Sequence, residues 1–430
     1  MYFQNKREFA LALDSADKLK DFRNEFLIPK HAGKEIIYLC GNSLGLQPRP
    51  VKKYLDEQLS NWENLAVEGW FDGDSPWMFY HKEMQKLMAP VVGAKPEEVI
   101  PMNTLTVNLH LMMVSFYRPT GKRTKILMEA GAFPSDQYAV ESQVRFHGLD
   151  PQTSIIEVKP REGEDLLRTE DITKVIEQNS DEIALVLFSG INYYSGQFFD
   201  LEEIVKAGHA AGAFVGFDLA HAAGNVPLKL HDWNADFACW CTYKYMNSSP
   251  GGISGVFVHE RHFNNGSLNR FAGWWGYDEE NRFKMEKGFV PQQGAEGWQL
   301  SCSPVLLMAA HKASLVLFDQ AGGIEALREK SIALTAYLEF IIHEVNRSAG
   351  REQFKIITPR EPHSRGAQLS LIAEKDGKKI FDELVNRRIV GDWREPDVIR
   401  LSPVPLYNSF TDIFELGQQL EEILGGNRSV

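Results

Sequence analysis

Two apolar segments of the sequence each lead to a side chain that can do chemistry. The run 213–217 stops at Asp218, and the run 237–241 leads to Lys244 three residues later. The two residues are 26 positions apart (244 − 218), about one strand–helix–strand unit, which predicts that both lie at the same edge of a sheet. A lysine and a carboxylate so placed suit pyridoxal phosphate (PLP). The lysine forms a Schiff base with its aldehyde, and the carboxylate keeps its pyridine nitrogen protonated.

Other segments offer what the same cofactor would need. Phe133, just past the apolar run 125–128, supplies an aromatic face for the ring. Segment 103–108 has the polar, hydroxyl-bearing opening of a helix that a phosphate requires, and the Gly-rich segment 248–252 lets backbone pass close by. Taken singly, an Asp after a strand is usually a cap and a Lys is usually a surface group. Together and in this order, the features favour PLP.

The elements that must position these residues alternate between strands and helices. This pattern predicts an α/β fold with a mainly parallel central sheet covered by helices on both faces. The predicted strands are 125–128, 154–158, 183–188, 213–217, 237–241 and 255–259. The predicted helices among them are 136–146, 169–178 and 201–211.

The two ends of the chain are predicted to form a smaller α+β unit. Residues 9–25 read as one or two amphipathic helices and 36–40 as a strand. Towards the carboxyl end we predict a long helical stretch 304–349, strands 368–373 and 398–401, and a closing helix 410–424. We therefore expect an N-terminal segment 1–75, a large PLP-binding domain 76–320 and a small domain 321–430.

Composition narrows the function further. The 430 residues carry a formal net charge of −12, which disfavours nucleic-acid binding. Cys40, Cys239, Cys241 and Cys302 are too few for a disulfide framework, and we interpret the middle pair as core residues on one face of a strand. No secretory signal or membrane-length apolar run is visible. These features predict a cytoplasmic enzyme that binds neither membrane nor metal.

The sequence resembles the kynureninase family in segments that run nearly end to end and in family order. They are GNSLGLQP (from Gly41), NTLTVNLHLMM (from Asn103), AFPSDQYA (from Ala132), KPREGE (from Lys159), GFDLAHAAGNVPL (from Gly216), HDWNADFACWCTYKYMN (from His231) and SPVPLYNSF (from Ser402). The resemblance implies PLP fold type I and a homodimer. It also implies hydrolysis of L-kynurenine, or its 3-hydroxy form, to L-alanine and an anthranilate, in tryptophan breakdown or NAD precursor synthesis.

The resemblance also assigns roles to individual residues. It makes Lys244 the Schiff-base lysine, Asp218 the partner of the pyridine nitrogen, and Arg400 the clamp for the substrate carboxylate. The other cofactor-binding residues that it implies are Leu105, Thr106, Phe133, Asp136, Ser189, His221, Tyr243, Trp274 from the partner subunit, and Cys302.

Two positions depart from the family pattern. Cys302 stands where some members have Asn, and a thiol cannot replace both the donor and the acceptor of an amide. Trp70 stands where animal members have His, which favours an apolar aryl pocket. From Trp70 we derive the hypothesis of a preference for unhydroxylated kynurenine.

Chemistry constrains how these residues could act. Lys244, once displaced by the substrate amine, can remove the α-proton, and Asp218 can keep the pyridinium charged. Tyr243 is either a proton donor to a carbanion or carbonyl oxygen, or an anchor for the phosphate. The sequence leaves both roles open.

Other classes of protein fit less well. Ser43 lies in a G-x-S-x-G pattern, but Pro48 and Pro50 follow where a serine-hydrolase elbow needs a helix, so we place Ser43 at the substrate end of the site. Cysteine desulfurases and aminotransferases share the Asp and Lys arrangement. Desulfurases, however, put His before the lysine and carry a late reactive Cys, which region 394–407 lacks. A PLP-binding regulator would need an additional basic domain, and the sequence has none to spare. A nicotinamide enzyme would need a GxGxxG pattern after a strand, and the sequence has no such pattern.

Overall fold

The computed structural model describes residues 2–426, and a seven-stranded sheet forms its centre. We number its strands in chain order as β1 Val99–Pro101, β2 Lys125–Glu129, β3 Ile155–Val158, β4 Ile183–Ser189, β5 Phe214–Asp218, β6 Phe237–Trp240 and β7 Gly255–Val258. Their spatial order is β1-β7-β6-β5-β4-β2-β3. Strands β2 to β6 are parallel to one another, whereas β7 is antiparallel to both β6 and β1. The predicted α/β class and mainly parallel sheet are confirmed.

Both faces of this sheet are buried. Along β4, Val186 and Phe188 enter one apolar cluster, while Leu185 and Leu187 enter a second one. Burial on both faces explains why the strand reads as a continuous apolar run. The helices are α1 Arg7–Ala16, α2 Val51–Leu65, α3 Tyr80–Val92, α4 Leu105–Phe116, α5 Pro134–Phe146, α6 Pro151–Ser154, α7 Thr169–Gln178, α8 Leu201–Ala210, α9 Val305–Gln320, α10 Gly323–Ala349, α11 Gly377–Asn386 and α12 Phe410–Gly426.

A second, smaller sheet lies near the carboxyl end. Its antiparallel strands are β8 Phe354–Ile356, β9 Leu369–Ala373, β10 Asp392–Arg394 and β11 Val398–Leu401, in the order β8-β9-β11-β10. Its apolar cluster joins both ends of the chain, since Ala10 and Leu39 pack with Leu338, Leu371 and Ile413. The α+β unit is confirmed, whereas the domain boundaries at residues 75 and 320 stay predictions.

The structure departs from the predicted elements in three places. The helical stretch 304–349 is broken between α9 and α10, where Gly322 has φ of +90°. The predicted strand 36–40 shrinks to Ile37–Tyr38, which pairs in parallel with Ile389–Val390. Strand β6 ends at Trp240, so Cys241 lies beyond it and does not share a strand face with Cys239, although both cysteines are buried.

The remaining strands are short, and none joins the two large sheets. They are Phe26–Leu27, Lys30–His31, Lys34–Glu35 and Gln47–Pro48. Within residues 2–426, no helix combines the length and the apolar character that crossing a bilayer requires.

Candidate active site

A cleft of about 440 Å³ opens beyond the carboxyl ends of the parallel strands. This is where ligands bind in open α/β sheets, and the volume is typical of small-molecule sites. Eleven of the fourteen residues that the sequence predicts for the site line it. They are Ser43, Leu105, Thr106, Phe133, Asp136, Ser189, Asp218, His221, Tyr243, Lys244 and Arg400.

Lys244 lies between an imidazole and an aromatic ring. Its Nζ donates a hydrogen bond to His221 Nε2 at 2.9 Å and lies 5.9 Å from the centroid of the Phe133 ring. Burial, and then the Lys244 charge, hold the pKa of His221 well below its ordinary value, so the ring is neutral. Because Nε2 accepts, Nδ1 carries the ring proton, and this buried atom has no partner among the described residues.

Asp218 and Asp136 form a buried carboxyl pair. Asp218 ends β5 and accepts the N–H of Ala220 at 2.7 Å, while Asp136 comes from the first turn of α5 and is hydrogen-bonded to Asp218. Burial raises the pKa of both carboxyls, and the Asp218 charge raises that of Asp136 further. We infer that Asp136 keeps its proton and donates it to an ionised Asp218, which Lys244 and the Ala220 N–H also favour.

Glu129 is a buried acidic residue beside the site that the sequence analysis did not single out. It ends β2, and the N–H and hydroxyl groups of Ser189, at the end of β4, both donate to it. Burial raises the pKa of Glu129 to about 7, although the bonds from Ser189 oppose the shift. The sequence signal was the same as for Asp218, an acidic residue that closes an apolar strand.

Two helix N-termini meet at another part of the cleft. Helix α4 begins at Leu105 and α5 at Pro134. Thr106 Oγ1 and Ser135 Oγ, from their first turns, are 2.7 Å apart. Free amides and hydroxyls at helix starts attract anions, so this end of the cleft can hold a phosphate.

Arg400 lies at the side of the cleft that the small sheet provides. Its Nη1 donates to the Tyr193 carbonyl at 2.7 Å, and its Nη2 donates to the Asp392 carboxylate. Arg394 also lines the cleft and donates to the same Asp392 oxygen at 3.2 Å. Tyr193 in turn packs edge-on against Phe133, with ring centroids 5.2 Å apart.

Ser43 lies in a turn and not in a nucleophile elbow. The N–H groups of Ser43 and Leu44 both donate to the Cys40 carbonyl, and the next helix, α2, begins only at Val51. The neighbouring Asn42 side chain is buried and donates to Gln368 at 3.1 Å. This arrangement places Ser43 in the cleft without the strand-to-helix turn that the elbow requires.

Three predicted site residues, Trp70, Trp274 and Cys302, do not line the cleft of their own chain. Trp274 is 48% exposed, and Cys302 is also exposed. Trp70 and Trp274 both contact Trp275, with ring centroids 5.4 Å and 5.9 Å from it. The two tryptophans therefore belong to one aromatic surface outside the cleft.

Several residues lining the cleft were not predicted as site residues. Small residues make up most of this set, and they carry little sequence signal on their own. They are Asn42, Ser135, Ile191, Tyr193, Ala220, Ser254 and Arg394. Thr104, Gly251 and Gly252 also line the cleft, and they belong to the segments 103–108 and 248–252 that the sequence predicts for the cofactor.

A separate group, Glu98, His231 and His259, has side-chain donor atoms within 4.8 Å of one another. His231 Nδ1 lies 2.9 Å from Glu98 Oε1, which also accepts the N–H of Glu260. His259 Nδ1 accepts the N–H of Arg261 at 3.2 Å. Hydrogen bonds therefore already occupy these atoms, and we assign the group a structural role.

The chemistry of the cleft fits PLP. Lys244 can bind an aldehyde carbon, the Asp218 carboxylate can hold a pyridinium, and the starts of α4 and α5 can hold a phosphate. Phe133 offers an aromatic face, and the unpartnered Nδ1–H of His221 offers a donor.

Comparison with known proteins agrees with this site. The class-V aminotransferase family model matches residues 37–352, and the kynureninase C-terminal domain model matches residues 327–420. The chain is 56% identical to the kynureninase of Flavobacterium psychrophilum, over 98% of this chain and 99% of that protein. It is 54% identical to the kynureninase of Myxococcus xanthus, over 97% of each chain.

Solved structures share the fold. A cysteine desulfurase from Thermococcus onnurineus superposes with a TM-score of 0.76 at 18% identity, covering 95% of this chain and 98% of that one. A cysteine desulfurase from Escherichia coli gives a TM-score of 0.75 at 15% identity, with the same coverage.

Fold and cleft together define a PLP-dependent enzyme of fold type I. Similarity over nearly the whole length then narrows the class. The chain belongs to the kynureninase family.

The raised pKa of Glu129 predicts a pH-dependent stability. Above about pH 4.5 the unfolded chain loses this proton, whereas the folded chain keeps it until about pH 7. The free energy of unfolding should therefore fall by on the order of 3 kcal/mol as pH rises through this window. In urea unfolding, Glu129→Gln should not show this fall in the free energy of unfolding with pH. Glu157→Gln, at an exposed position on β3, should show the same pH dependence as the wild type. Equal pH dependence in Glu129→Gln and wild type would contradict the assignment.

Proposed function

We propose that this chain hydrolyses the Cβ–Cγ bond of L-kynurenine, giving anthranilate and L-alanine, and accepts 3-hydroxy-L-kynurenine less well. The observation that carries the proposal is identity of 52–56% to kynureninases over nearly the whole chain. The cleft supports it, because it joins a lysine, a carboxyl pair, a phosphate-sized anion site and a buried arginine.

Each end of the cleft has its own task in holding the cofactor. When bound, PLP supplies an electrophilic carbon and a ring that accepts electron density from the substrate Cα. Asp218 would bind the pyridine nitrogen and Phe133 would stack on the ring. Ser189 and His221 would contact its hydroxyl. Leu105 N–H and the Thr106 hydroxyl would hold the phosphate.

Two residues would orient the substrate: Arg400 at its carboxylate and Lys244 at its α-hydrogen. Arg400 is buried, with 1% of its area exposed, so its charge-assisted hydrogen bonds to a carboxylate would be little screened by water. Lys244 would remove the proton from Cα and hold it, with His221 Nε2 as the acceptor beside it. Asp136, by keeping its own proton, would leave the negative charge on Asp218.

Tyr243 is proposed as the proton donor to the substrate or as an anchor for the phosphate. It lines the cleft half-buried, and its hydroxyl is hydrogen-bonded to the Cys241 thiol. Burial raises the pKa of Tyr243, so the hydroxyl keeps its proton at neutral pH. Both roles need such a donor, and both therefore remain in the proposal.

A desulfurase activity has less support, although desulfurases share the fold. That chemistry needs a cysteine at the substrate, and no cysteine is among the described residues that line the cleft. Cys40, near the cleft, is buried, and burial raises the pKa of its thiol to about 12, which opposes the nucleophilic thiolate form.

We further propose a homodimer in which Trp70, Trp274 and Cys302 approach the cleft of the partner subunit. Trp274 and its neighbours Phe71, Phe283 and Met285 are each about half or more exposed, which is unusual for large apolar side chains on a monomer. Contacts between the Phe283 ring and those of Phe71 and Trp274 make this surface continuous. A cytoplasmic location and a place in tryptophan degradation or NAD precursor synthesis stay predictions.

Lys244→Ala should abolish turnover, because Lys244 is the only lysine among the described residues that line the cleft, and its amine is proposed to bind the cofactor carbon and move the α-proton. The purified protein is given PLP and L-kynurenine, and anthranilate fluorescence is followed with the visible spectrum of the cofactor. We expect equal amounts of anthranilate and alanine from the wild type, and the same result from Lys174→Ala, at an exposed position on α7. Wild-type protein that binds PLP but forms neither anthranilate from L-kynurenine nor 3-hydroxyanthranilate from 3-hydroxy-L-kynurenine would refute the proposed function.

Trp70 generates a prediction about substrate preference. If an indole borders the aryl group, the wild type should have a higher kcat/KM for L-kynurenine than for its 3-hydroxy form. Trp70→His should shift the ratio of the two values towards the 3-hydroxy substrate. Trp62→His serves as the control, because Trp62 is 63% exposed and lines an apolar surface groove together with Trp70. Comparable or better wild-type kcat/KM with 3-hydroxykynurenine would reject this hypothesis.

Sharing of Trp274 between subunits can be tested by subunit mixing. Lys244→Ala and Trp274→Ala chains are refolded or expressed together and assayed at limiting PLP. A mixed dimer has one intact site only if Trp274 acts in the partner's cleft, so about a quarter of wild-type activity should return. Activity no higher than the average of the two variants measured alone would contradict a shared site.

A further inference from the structure

Two guanidinium groups of the small sheet share one carboxylate at the edge of the cleft. Asp392 of β10 is paired directly with Arg400 of β11, and Arg394 lies two residues further along β10. Residues two apart on a strand point to the same face, so all three side chains emerge on one side of the sheet. The same Asp392 oxygen accepts a hydrogen bond from each arginine.

The charges of this group do not cancel. Arg394 and Arg400 carry two positive charges, and Asp392 supplies one negative charge between them. The Nε atoms of both arginines are buried without a partner among the described residues. The group therefore keeps one net positive charge and two unpaired N–H donors in side chains that line the cleft, which favours the binding of one further anion.

This anion site is distinct from the phosphate end. The phosphate end is built from helix starts and hydroxyls of the large sheet, whereas the arginines come from the small sheet. The positive charges of Arg400 and Arg394 both contribute to lowering the pKa of His221, whose ring contacts Lys244. The arginine pair therefore lies near the amine that would meet the substrate Cα.

We propose that Arg394 is a second binding residue for the substrate α-carboxylate, so that a pair of guanidinium groups, held together by Asp392, binds it. This inference rests on the proposed function. Arg400 already donates from Nη1 to Tyr193 and from Nη2 to Asp392, so part of its donor capacity is used within the protein. Arg394 supplies the additional donors that a bidentate carboxylate needs.

The test compares two ligands that differ only in the carboxylate. L-alanine and L-alaninamide are titrated into PLP-loaded protein, and binding is read from the visible spectrum. Arg394→Gln should raise the Kd of L-alanine about 10- to 100-fold, as expected for loss of a charge-assisted hydrogen bond. The Kd of L-alaninamide should change less than about threefold, because it has no carboxylate to lose.

Two further variants separate binding from structure. Arg394→Lys keeps the charge but not the planar fork, so it should recover part of the L-alanine affinity. Arg360→Gln, at a side chain that is 84% exposed and paired with Glu339, should leave both ligands unaffected. Arg394 is itself 36% exposed, so its replacement leaves the buried core intact.

Either of two results would overturn the inference. One is an equal change for both ligands in Arg394→Gln, and the other is no change for L-alanine. The titration does not depend on turnover. If wild-type protein binds L-alanine and depends on Arg394 but forms no anthranilate, the proposed function fails while the carboxylate site stands. With the proposed substrate, Arg394→Gln should raise KM with a smaller effect on kcat.

Discussion

The burial of acidic side chains at the carboxyl edge of the main sheet is the constraint on which the site depends. Glu129, Asp136 and Asp218 lie within one buried cluster, and isolated carboxylates there would be costly. Hydrogen bonds donated by Ser189 and Ala220 offset part of this cost. The protons that some of these carboxyl groups retain reduce it further. Only one carboxylate has to be ionised, and it is the one that a pyridinium would neutralise.

The parallel register of the central strands turns this local chemistry into a site. Asp218 pairs with Ser189 on one side and with Cys239 on the other, so the ends of three strands are level. The loop after β6 then carries Lys244 back over the same edge, where it contacts His221. Helices α4 and α5 begin beside this edge, and residues of their first turns line the cleft. The small sheet closes the remaining side with Arg394 and Arg400.

Sequence reasoning predicted the fold and the placement of Asp218 and Lys244 in one cleft, because the signals for both are strong and local. Apolar runs buried on both faces stop at Asp218 and shortly before Lys244, and this pattern fixes their place at one sheet edge. Arg394 and Asp392 were not predicted, because β10 has only three residues and its sequence does not show that it pairs with β11. That pairing brings both side chains next to Arg400. Trp70 and Trp274 show a different limit of the sequence prediction. The family resemblance assigns them to the site, but neither lines the cleft of its own chain.

The position of Arg400 matters for more than the proposed binding of the substrate carboxylate. It belongs to the small sheet, yet it donates to the carbonyl of Tyr193, in the loop that follows β4 of the large sheet. The same side chain therefore links the small sheet to the large one, and it is also the residue proposed to bind the substrate carboxylate. Stability and substrate affinity would then depend on the same side chain. If Arg400 binds the carboxylate as proposed, a substitution that loosens the packing of the small core would also displace the guanidinium, and selection for heat resistance and for substrate affinity would act on the same residue.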